Sequence, residues 1–217
     1  MAEIVVVGIH TGIGKTVTSA VLCQAFAANY WKPVQAGALE HSDSMEVERL
    51  ISNEQSLILP EKYRLQEAMS PHAAALHEGI KIELTDFILP NSTNHLIVET
   101  AGGLMSPMTA QHTVLDGVKF WKKPVLLVSQ AYLGSINHTL LCLDALKRYD
   151  VPVLGVVYSG DRNEESEAFI AEYASITTCT FIAQLEQLNA EGVSAEAEKL
   201  KRSSLGKNIL AYFSENA

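Results

Sequence analysis

A glycine-containing turn near the N-terminus combines residues that could bind the phosphates of a nucleotide. The apolar run 4–7 leads into the segment 8–16, Gly-Ile-His-Thr-Gly-Ile-Gly-Lys-Thr, and then into a helical pattern. Backbone N–H groups of such a loop and the positive end of the following helix hold phosphate oxygens, while the Lys15 ammonium adds a full charge. The Thr16 hydroxyl could reach Mg²⁺. The residues predicted to contact a nucleotide here are Gly12, Ile13, Gly14, Lys15, Thr16 and Val17.

The spacing inside this loop differs from the standard phosphate-loop pattern. Five residues rather than four separate Gly8 from Gly14, so Ile9 stands where a strict match needs glycine. An ordinary turn between a strand and a helix is therefore the alternative interpretation. The strand pattern before the loop and the helix pattern after it favour phosphate binding.

Three charged side chains elsewhere could complete a site for phosphoryl transfer. Lys32 precedes a proline, which favours extended backbone, and a short strand ending here would place it at the carboxyl edge of a sheet; a surface lysine is the alternative. Glu99 closes the apolar strand pattern 96–98, where an acid can hold Mg²⁺ beside a phosphate loop. Asp43 could add a second carboxylate, although an acid that follows Ser42 at a helix start more commonly caps its helix.

Composition argues against several other classes of protein. The 217 residues are 47% apolar and 19% charged, which indicates a folded body with a large core. The net charge of −9 has the wrong sign for binding nucleic acid. The longest uncharged run, 124–143, is interrupted by polar residues, so we predict no membrane span. The N-terminus has no basic leader, which predicts a cytoplasmic protein.

Other common types of site lack their sequence signatures. Cys23, Cys142 and Cys179 form no C-x-x-C pair, so we predict buried reduced thiols rather than disulfides or a thiolate zinc site. The histidines show no H-E-x-x-H spacing, and no G-x-S-x-G nucleophile motif occurs. Phosphoryl chemistry is what remains.

The elements that must position these residues alternate between short apolar runs and amphipathic stretches. The predicted strands are 4–8, 96–99, 125–129, 153–158 and a weaker 181–185. The predicted helices are 15–28, 42–51, 112–122, 136–148 and 164–173. This alternation predicts an α/β fold in three layers, with a mostly parallel central sheet flanked by helices.

The remaining stretches are assigned by composition. Without a repeat or a flexible linker, we predict a single domain over residues 1–217. The stretch 35–90 is the least sheet-like, and we expect a helical insertion there. The tail from Ala190, rich in Glu, Lys and Arg, predicts one or two solvated helices.

A set of short segments, in this order and at similar spacing, resembles the dethiobiotin synthase family. They are 8–16, Lys-Pro-Val-Gln at 32–35, Ser-Asp at 42–43, Ser-Pro-His at 70–72, Glu-Thr-Ala-Gly-Gly at 99–103 and Leu-Gly-Ser-Ile-Asn-His at 133–138. The likeness extends over about positions 4 to 160. It implies a fold of the P-loop nucleoside triphosphate hydrolase type. It also implies a homodimer that joins CO₂ to 7,8-diaminopelargonate with ATP and Mg²⁺, closing the ring of dethiobiotin.

The resemblance also implies a role for each matching residue. The two catalytic cations would be Lys15, on the β- and γ-phosphates, and Lys32, on the carbamate and the transferring phosphoryl group. The magnesium ligands would be Thr16, Asp43 and Glu99. The diamine or its carbamate would be oriented by Thr11, Lys32, Gly102 and Gly103. The distant carboxylate of the substrate would be bound across the subunit interface by Ser135 and Asn137.

Several positions differ from the family pattern. Gly12 stands where an acid often occurs, Thr100 replaces a glycine, and Ala36 replaces a hydroxyl residue. Ser159 lies where an asparagine commonly reads adenine, and the segment 183–186 lacks the family's Gly and Pro. We therefore assign Ser159 to the nucleotide site but predict no nucleotide preference.

A ParA-like partitioning ATPase, which acts as a dimerising switch, is the competing hypothesis. Such proteins carry a signature lysine four residues before the last glycine of the loop, and His10 occupies that place here. A third possibility is an amidoligase relative, but the chain shows neither a glutamine-hydrolysing domain nor an evident cysteine nucleophile for one.

Overall fold

The computed structural model describes residues 1–185 and 187–216, so Glu186 of the segment 183–186 lies outside the described residues. The strands are β1 (Glu3–Gly8), β2 (Asn29–Trp31), β3 (Val34–Ala36), β4 (Ile58–Leu59), β5 (Tyr63–Leu65), β6 (Leu96–Glu99), β7 (Val125–Gln130), β8 (Val153–Gly160) and β9 (Cys179–Ala183). The helices are α1 (Lys15–Phe26), α2 (Asp43–Leu50), α3 (Pro71–His77), α4 (Val114–Trp121), α5 (Ser135–Arg148), α6 (Glu164–Ala174), α7 (Ala190–Arg202) and α8 (Ser204–Glu215).

A parallel sheet forms the centre of the molecule. Within the described residues it has seven strands in the order β4-β2-β6-β1-β7-β8-β9, and every neighbouring pair is parallel. β1, β6 and β7 are almost entirely buried, as expected for continuous apolar strands covered on both faces. The predicted α/β fold with a parallel central sheet is confirmed. Whether the chain forms one domain stays a prediction.

Strand register brings the candidate residues to one edge of this sheet. Val6 of β1 lies opposite Glu99 of β6, and Trp31 at the end of β2 lies opposite Val98. Because the strands are parallel, the phosphate loop after β1, Lys32 after β2 and Glu99 at the end of β6 share the carboxyl edge. Ligands of open α/β sheets bind at this edge.

The stretch 35–90 differs from the expected helical insertion. It contains the short strands β4 and β5 and the helices α2 and α3, and β3 reaches into it. β4 extends the central sheet through β2, while β3 and β5 form a separate parallel pair. Strands of two or three residues are too short for a recognisable pattern, so their pairing partners rather than their own sequence determine them.

The tail does form two helices, α7 and α8, but the prediction that they are simply solvated is wrong. Val193, Ala197 and Leu200 are buried along one face of α7, which packs against α1. Their spacing of four and three residues is that of an amphipathic helix. The charged residues of α7 therefore cover only its outer face.

Two further features of the fold are the state of the cysteines and the length of the helices. All three cysteines are free; Cys23 is buried as predicted, whereas Cys142 and Cys179 are only partly buried. No helix in residues 1–185 or 187–216 is both long enough and apolar enough to cross a bilayer.

Candidate functional site

The phosphate loop is shaped by glycines in left-handed backbone conformations. Gly12 and Gly14 have φ of 73° and 86°, values that favour glycine. A Cβ atom at Gly14 would also collide with the hydroxyl of Ser159, so the end of β8 lies directly against the loop. Lys15 Nζ donates to the carbonyl of His10 at 3.0 Å across the loop. The structure thus brings Ser159 to the predicted nucleotide-binding loop.

Lys15 is buried at the start of α1, with another cation close by. Burial lowers the pKa of its ammonium to about 8; Glu99 opposes this shift, and the neighbouring charge of Lys32 adds to it. The charges of the two lysines therefore influence each other. Two ammonium groups whose charges interact favour binding of an anion nearby.

Lys32, Asp43, Glu99 and Thr16 form one polar cluster beside the loop. Lys32 Nζ lies 2.9 Å from Glu99 Oε1 and also forms an ion pair with Asp43. Thr16 Oγ1 lies 3.1 Å from Asp43 Oδ1 and 3.0 Å from Glu99 Oε1. The side chains of Lys32 and Glu99 are 5% and 1% exposed, so their charges compensate each other inside the protein.

The ion pairs determine the charge states in this cluster. Burial on its own would lower the pKa of Lys32, but Glu99 and Asp43 outweigh it and raise that pKa above its ordinary value. Burial would likewise raise the pKa of Asp43, but Lys32, Thr16 and Lys15 together lower it. Lys32 is therefore a cation and Asp43 an anion at neutral pH.

Asp43 faces this cluster because another residue caps its helix. Ser42 is the N-cap of α2, and its hydroxyl accepts a hydrogen bond from the N–H of Met45 at 3.3 Å. The N–H of Asp43 donates to Gln35 Oε1 at 3.2 Å. The helix-cap interpretation thus applies to Ser42, and the Asp43 carboxylate is directed at Lys32 and Thr16.

The donor set of this cluster fits Mg²⁺. Thr16, Asp43 and Glu99 bring a hydroxyl and two carboxylates together, and oxygen ligands suit a hard cation. In the part of the chain that the structure describes, no three His, Cys, Asp or Glu side chains group into a metal site. Magnesium usually keeps several waters and binds phosphate oxygens of the nucleotide. A magnesium site therefore needs only one or two carboxylates from the protein.

A cavity of about 360 Å³ opens beside Lys32. Thr11, Lys32, Ala36 and Gly102 contribute to its lining, and its volume suits a small molecule. Gly103 does not line it, and its N–H donates to the Ser106 hydroxyl at 2.9 Å. The structure therefore brings Thr11, Lys32 and Gly102 together. The N–H of Gly103 is instead used in its hydrogen bond to Ser106.

Ser135 and Asn137 lie apart from this cavity, at the start of α5. Ser135 is buried, and its hydroxyl accepts a hydrogen bond from the N–H of Tyr132 at 3.3 Å. Asn137 is exposed, and the preceding Leu133 is fully exposed. Within a single chain the two residues do not join the Lys32 cluster.

Sequence reasoning missed three residues that shape the site. Gln35 supports Asp43, Ser106 holds Gly103, and Tyr30 donates its hydroxyl to Glu99 Oε2 at 3.0 Å. Burial, followed by the charge of Glu99, keeps the pKa of Tyr30 well above its ordinary value. A tyrosine within a short apolar strand resembles any core aromatic, so only the tertiary contact identifies it.

Comparison with known proteins gives consistent matches. A family model described as an AAA domain matches residues 2–192. A protein of Rhodopseudomonas palustris (strain ATCC BAA-98 / CGA009), named ATP-dependent dethiobiotin synthetase BioD, is 44% identical over 89% of this chain and 92% of its own. A protein of Cytophaga hutchinsonii with the same name is 44% identical over 92% of this chain and 97% of its own.

Solved structures share the fold at low sequence identity. A ParA family ATPase from Chlorobium tepidum TLS aligns with a TM-score of 0.54 and 15% identity, over 97% of this chain and 98% of its own. A chain of the MinC:MinD cell division protein complex of Aquifex aeolicus aligns with a TM-score of 0.55 and 15% identity, over 94% and 97%. At this identity the likeness concerns the fold alone, and it confirms the predicted α/β fold with a mostly parallel central sheet flanked by helices.

Proposed function

The chain belongs to the ATP-dependent dethiobiotin synthetase family, ligases of biotin biosynthesis, and we propose that it closes the ureido ring of dethiobiotin itself. The proposed substrates are 7,8-diaminopelargonate, CO₂ or bicarbonate, and ATP. One observation carries the proposal: buried Lys15 at the phosphate loop interacts electrostatically with Lys32, Asp43 and Glu99, and Lys32 and Asp43 line a cavity for a small molecule. This arrangement suits a reaction in which every intermediate is an anion.

The proposed reaction has three steps. An amine of the substrate adds to CO₂ and loses a proton, which gives a carbamate. A carbamate oxygen then attacks the γ-phosphorus of ATP; the bond to the β-phosphate oxygen breaks, leaving ADP and a carbamic-phosphoric anhydride. The second amine attacks the carbonyl carbon, loses a proton and expels inorganic phosphate, which closes the ring.

Each proposed residue stabilises charge in one of these steps. Lys15 binds the β- and γ-phosphates at the start of α1, together with the N–H groups of the loop. Lys32 lies in the cavity wall and neutralises the carbamate and the transferring phosphoryl group. Thr11 and Gly102 line the same cavity and orient the diamine. Ser159, next to Gly14, faces the nucleotide.

Thr16, Asp43 and Glu99 would hold magnesium in this proposal. When bound, the ion neutralises phosphate charge and helps to orient the nucleotide. The residues of the chain provide the rest: Lys32 screens the two carboxylates from each other, and Thr16 bridges them.

The substrate carboxylate would be bound by a second copy of the chain. Asn137 is exposed at the start of α5, where backbone N–H groups favour an anion, whereas the Ser135 hydroxyl is buried. Leu133 and Met105, in loops after the carboxyl ends of β7 and β6, are 104% and 60% exposed. A homodimer formed across this edge would cover these apolar side chains and bring Asn137 to the site of the other chain.

Release of ADP, measured with MgATP and bicarbonate in the presence and absence of the diamine, tests this function. We expect turnover to require the diamine. We also expect the carbon of labelled bicarbonate to appear in the ring of the product. The Lys32→Ala variant serves as the control for turnover at this site. ATP turnover that ignores the diamine but responds to a partner protein would instead favour the partitioning switch, which His10 argues against.

A further inference from the structure

Tyr30 and Lys32 approach Glu99 from the same segment of chain. Alternate residues of an extended segment point to the same face of a sheet, and Tyr30 pairs with Ile97, so Tyr30 on β2 and Lys32 just after it lie on the same face as Glu99 of β6. Lys32 reaches Glu99 Oε1 at 2.9 Å, and the Tyr30 hydroxyl reaches Oε2 at 3.0 Å. β2 pairs directly with β6, with Tyr30 opposite Ile97, and this pairing fixes the distance between the three side chains.

The two oxygens of Glu99 therefore have different surroundings. Oε1 faces Thr16 and Lys32 at the phosphate loop, while Oε2 faces the core and accepts the hydrogen bond from Tyr30. Tyr30 is 0% exposed, and the Glu99 side chain is 1% exposed. A buried carboxylate oxygen without a donor is costly, so loss of the Tyr30 hydroxyl would favour rotation of the carboxyl group.

We propose that Tyr30 is a positioning residue, which holds Glu99 Oε2 in the core so that Oε1 stays directed at the metal and phosphate side of the site. The proposal rests on the proposed function, because it takes Glu99 as a magnesium ligand. Tyr30 itself acts only through Glu99. Outer partners of this kind orient a ligand, and their loss commonly weakens metal binding tenfold or more.

The test uses Mn²⁺ as the probe for magnesium. Binding of Mn²⁺ to the full-length protein is titrated by electron paramagnetic resonance with saturating ADP, for the wild type and for Tyr30→Phe. The substitution removes one oxygen and keeps the ring. We expect the Mn²⁺ affinity to fall about tenfold, while the affinity for ADP without metal changes less than about twofold. Unchanged Mn²⁺ affinity would overturn the proposal.

Tyr63→Phe is the matched control. The Tyr63 hydroxyl also donates to a carboxylate, Asp86 Oδ2 at 2.8 Å, but this pair lies outside the cluster around Lys32. The same substitution there should leave Mn²⁺ affinity unchanged. An equal loss in both variants would show a general effect of the missing hydroxyl and would contradict the role of Tyr30.

A double-mutant cycle separates positioning from packing. In a Glu99→Gln background, Tyr30→Phe should alter Mn²⁺ affinity by less than about twofold, because the carboxylate through which Tyr30 acts is already absent. A full additional loss in that background, or a Tyr30→Phe protein that has lost its helical circular dichroism, would assign the hydroxyl to packing and reject the proposal. None of these measurements needs the diamine, so failure of diamine-dependent turnover in the wild type would reject the proposed function separately.

Discussion

The two halves of the carboxyl edge of the sheet are built in different ways. On the side of β1, β2 and β6, the charged groups of Lys32 and Glu99 are almost fully buried and connected by a hydrogen bond of 2.9 Å. On the side of β7 and β8, Asn137 is exposed and Leu133 extends fully into solvent. The first half holds its charges in place within one chain, whereas the polar and apolar groups of the second half are exposed to solvent.

This difference indicates what each half contributes. Buried ion pairs are expensive to form and are kept in one arrangement, which suits the chemical step. Exposed polar groups can change conformation and carry little desolvation cost, which suits the binding of the distal part of a substrate. Substitutions in the first half should therefore alter turnover, while substitutions in the second half should alter substrate affinity.

Lys15→Met should have the largest effect. It keeps the aliphatic stem but removes the charge from the loop, and we expect kcat to fall more than about 10³-fold, since phosphoryl transfer depends on cations that stabilise its transition state. The coupled ADP-release assay measures this loss. Residual turnover within tenfold of the wild type would show that the loop does not hold the transferring phosphate.

The same variant should be more stable than the wild type at pH 7. Burial lowers the pKa of Lys15 from 10.5 to about 8, so protonation at pH 7 costs the folded state up to about 3 kcal/mol. The unfolded chain binds the extra proton between pH 8 and 10.5, and the stability of the wild type should rise across this range. Thermal melts should show the advantage of Lys15→Met shrinking as the pH increases.

Lys32→Ala should reduce kcat by about 10²- to 10³-fold, or roughly 3 to 4 kcal/mol, the usual loss for one donor to a developing anion. It also leaves Asp43 and Glu99 without the cation between them, so the melting temperature must be measured alongside the rate. Lys81→Ala, at a side chain that is 86% exposed, is the matched control. Normal rates for Lys32→Ala would place the chemistry elsewhere.

Nucleotide affinity should depend on pH through the same buried lysine. Lys15 has a pKa of about 8, and bound phosphates favour its charged form. Raising the pH above about 8 should therefore weaken ATP binding by up to about tenfold per pH unit. Isothermal titration at several pH values measures this slope. Lys15→Met should bind weakly and show no such slope; an equal slope in both proteins would assign the titration to another group.

The first half of the edge could be predicted from sequence more completely than the second. Continuous apolar runs indicated β1, β6 and β7, and these strands place Glu99 next to the phosphate loop. The proline after Lys32 predicted extended backbone at the edge of the sheet, while the role of Lys32 followed from the family resemblance. Tyr30 could not, because its contact with Glu99 joins positions 69 residues apart and leaves no local pattern. On the other half, burial of the Ser135 hydroxyl depends on a turn at Tyr132 that composition does not indicate.

Asn137→Ala should have the smallest effect of these variants and the most specific one. Loss of one exposed hydrogen bond to the substrate carboxylate should raise the KM for the diamine about fivefold, or roughly 1 kcal/mol, with kcat and ATP affinity nearly unchanged. Ser135→Ala is the comparison, and its buried hydroxyl should matter little for KM. Equal damage to ATP binding and diamine binding would indicate a folding defect.

Mixing two variants tests whether Asn137 acts across a subunit interface. In a hybrid of Lys32→Ala and Asn137→Ala chains, one site combines the intact Lys32 of one chain with the intact Asn137 of the other. If the two halves of the edge come from different subunits, hybrids should regain the wild-type kcat and the wild-type KM together at that site, a combination that neither parent shows. If both halves act within one chain, every site keeps a defect and mixing restores nothing.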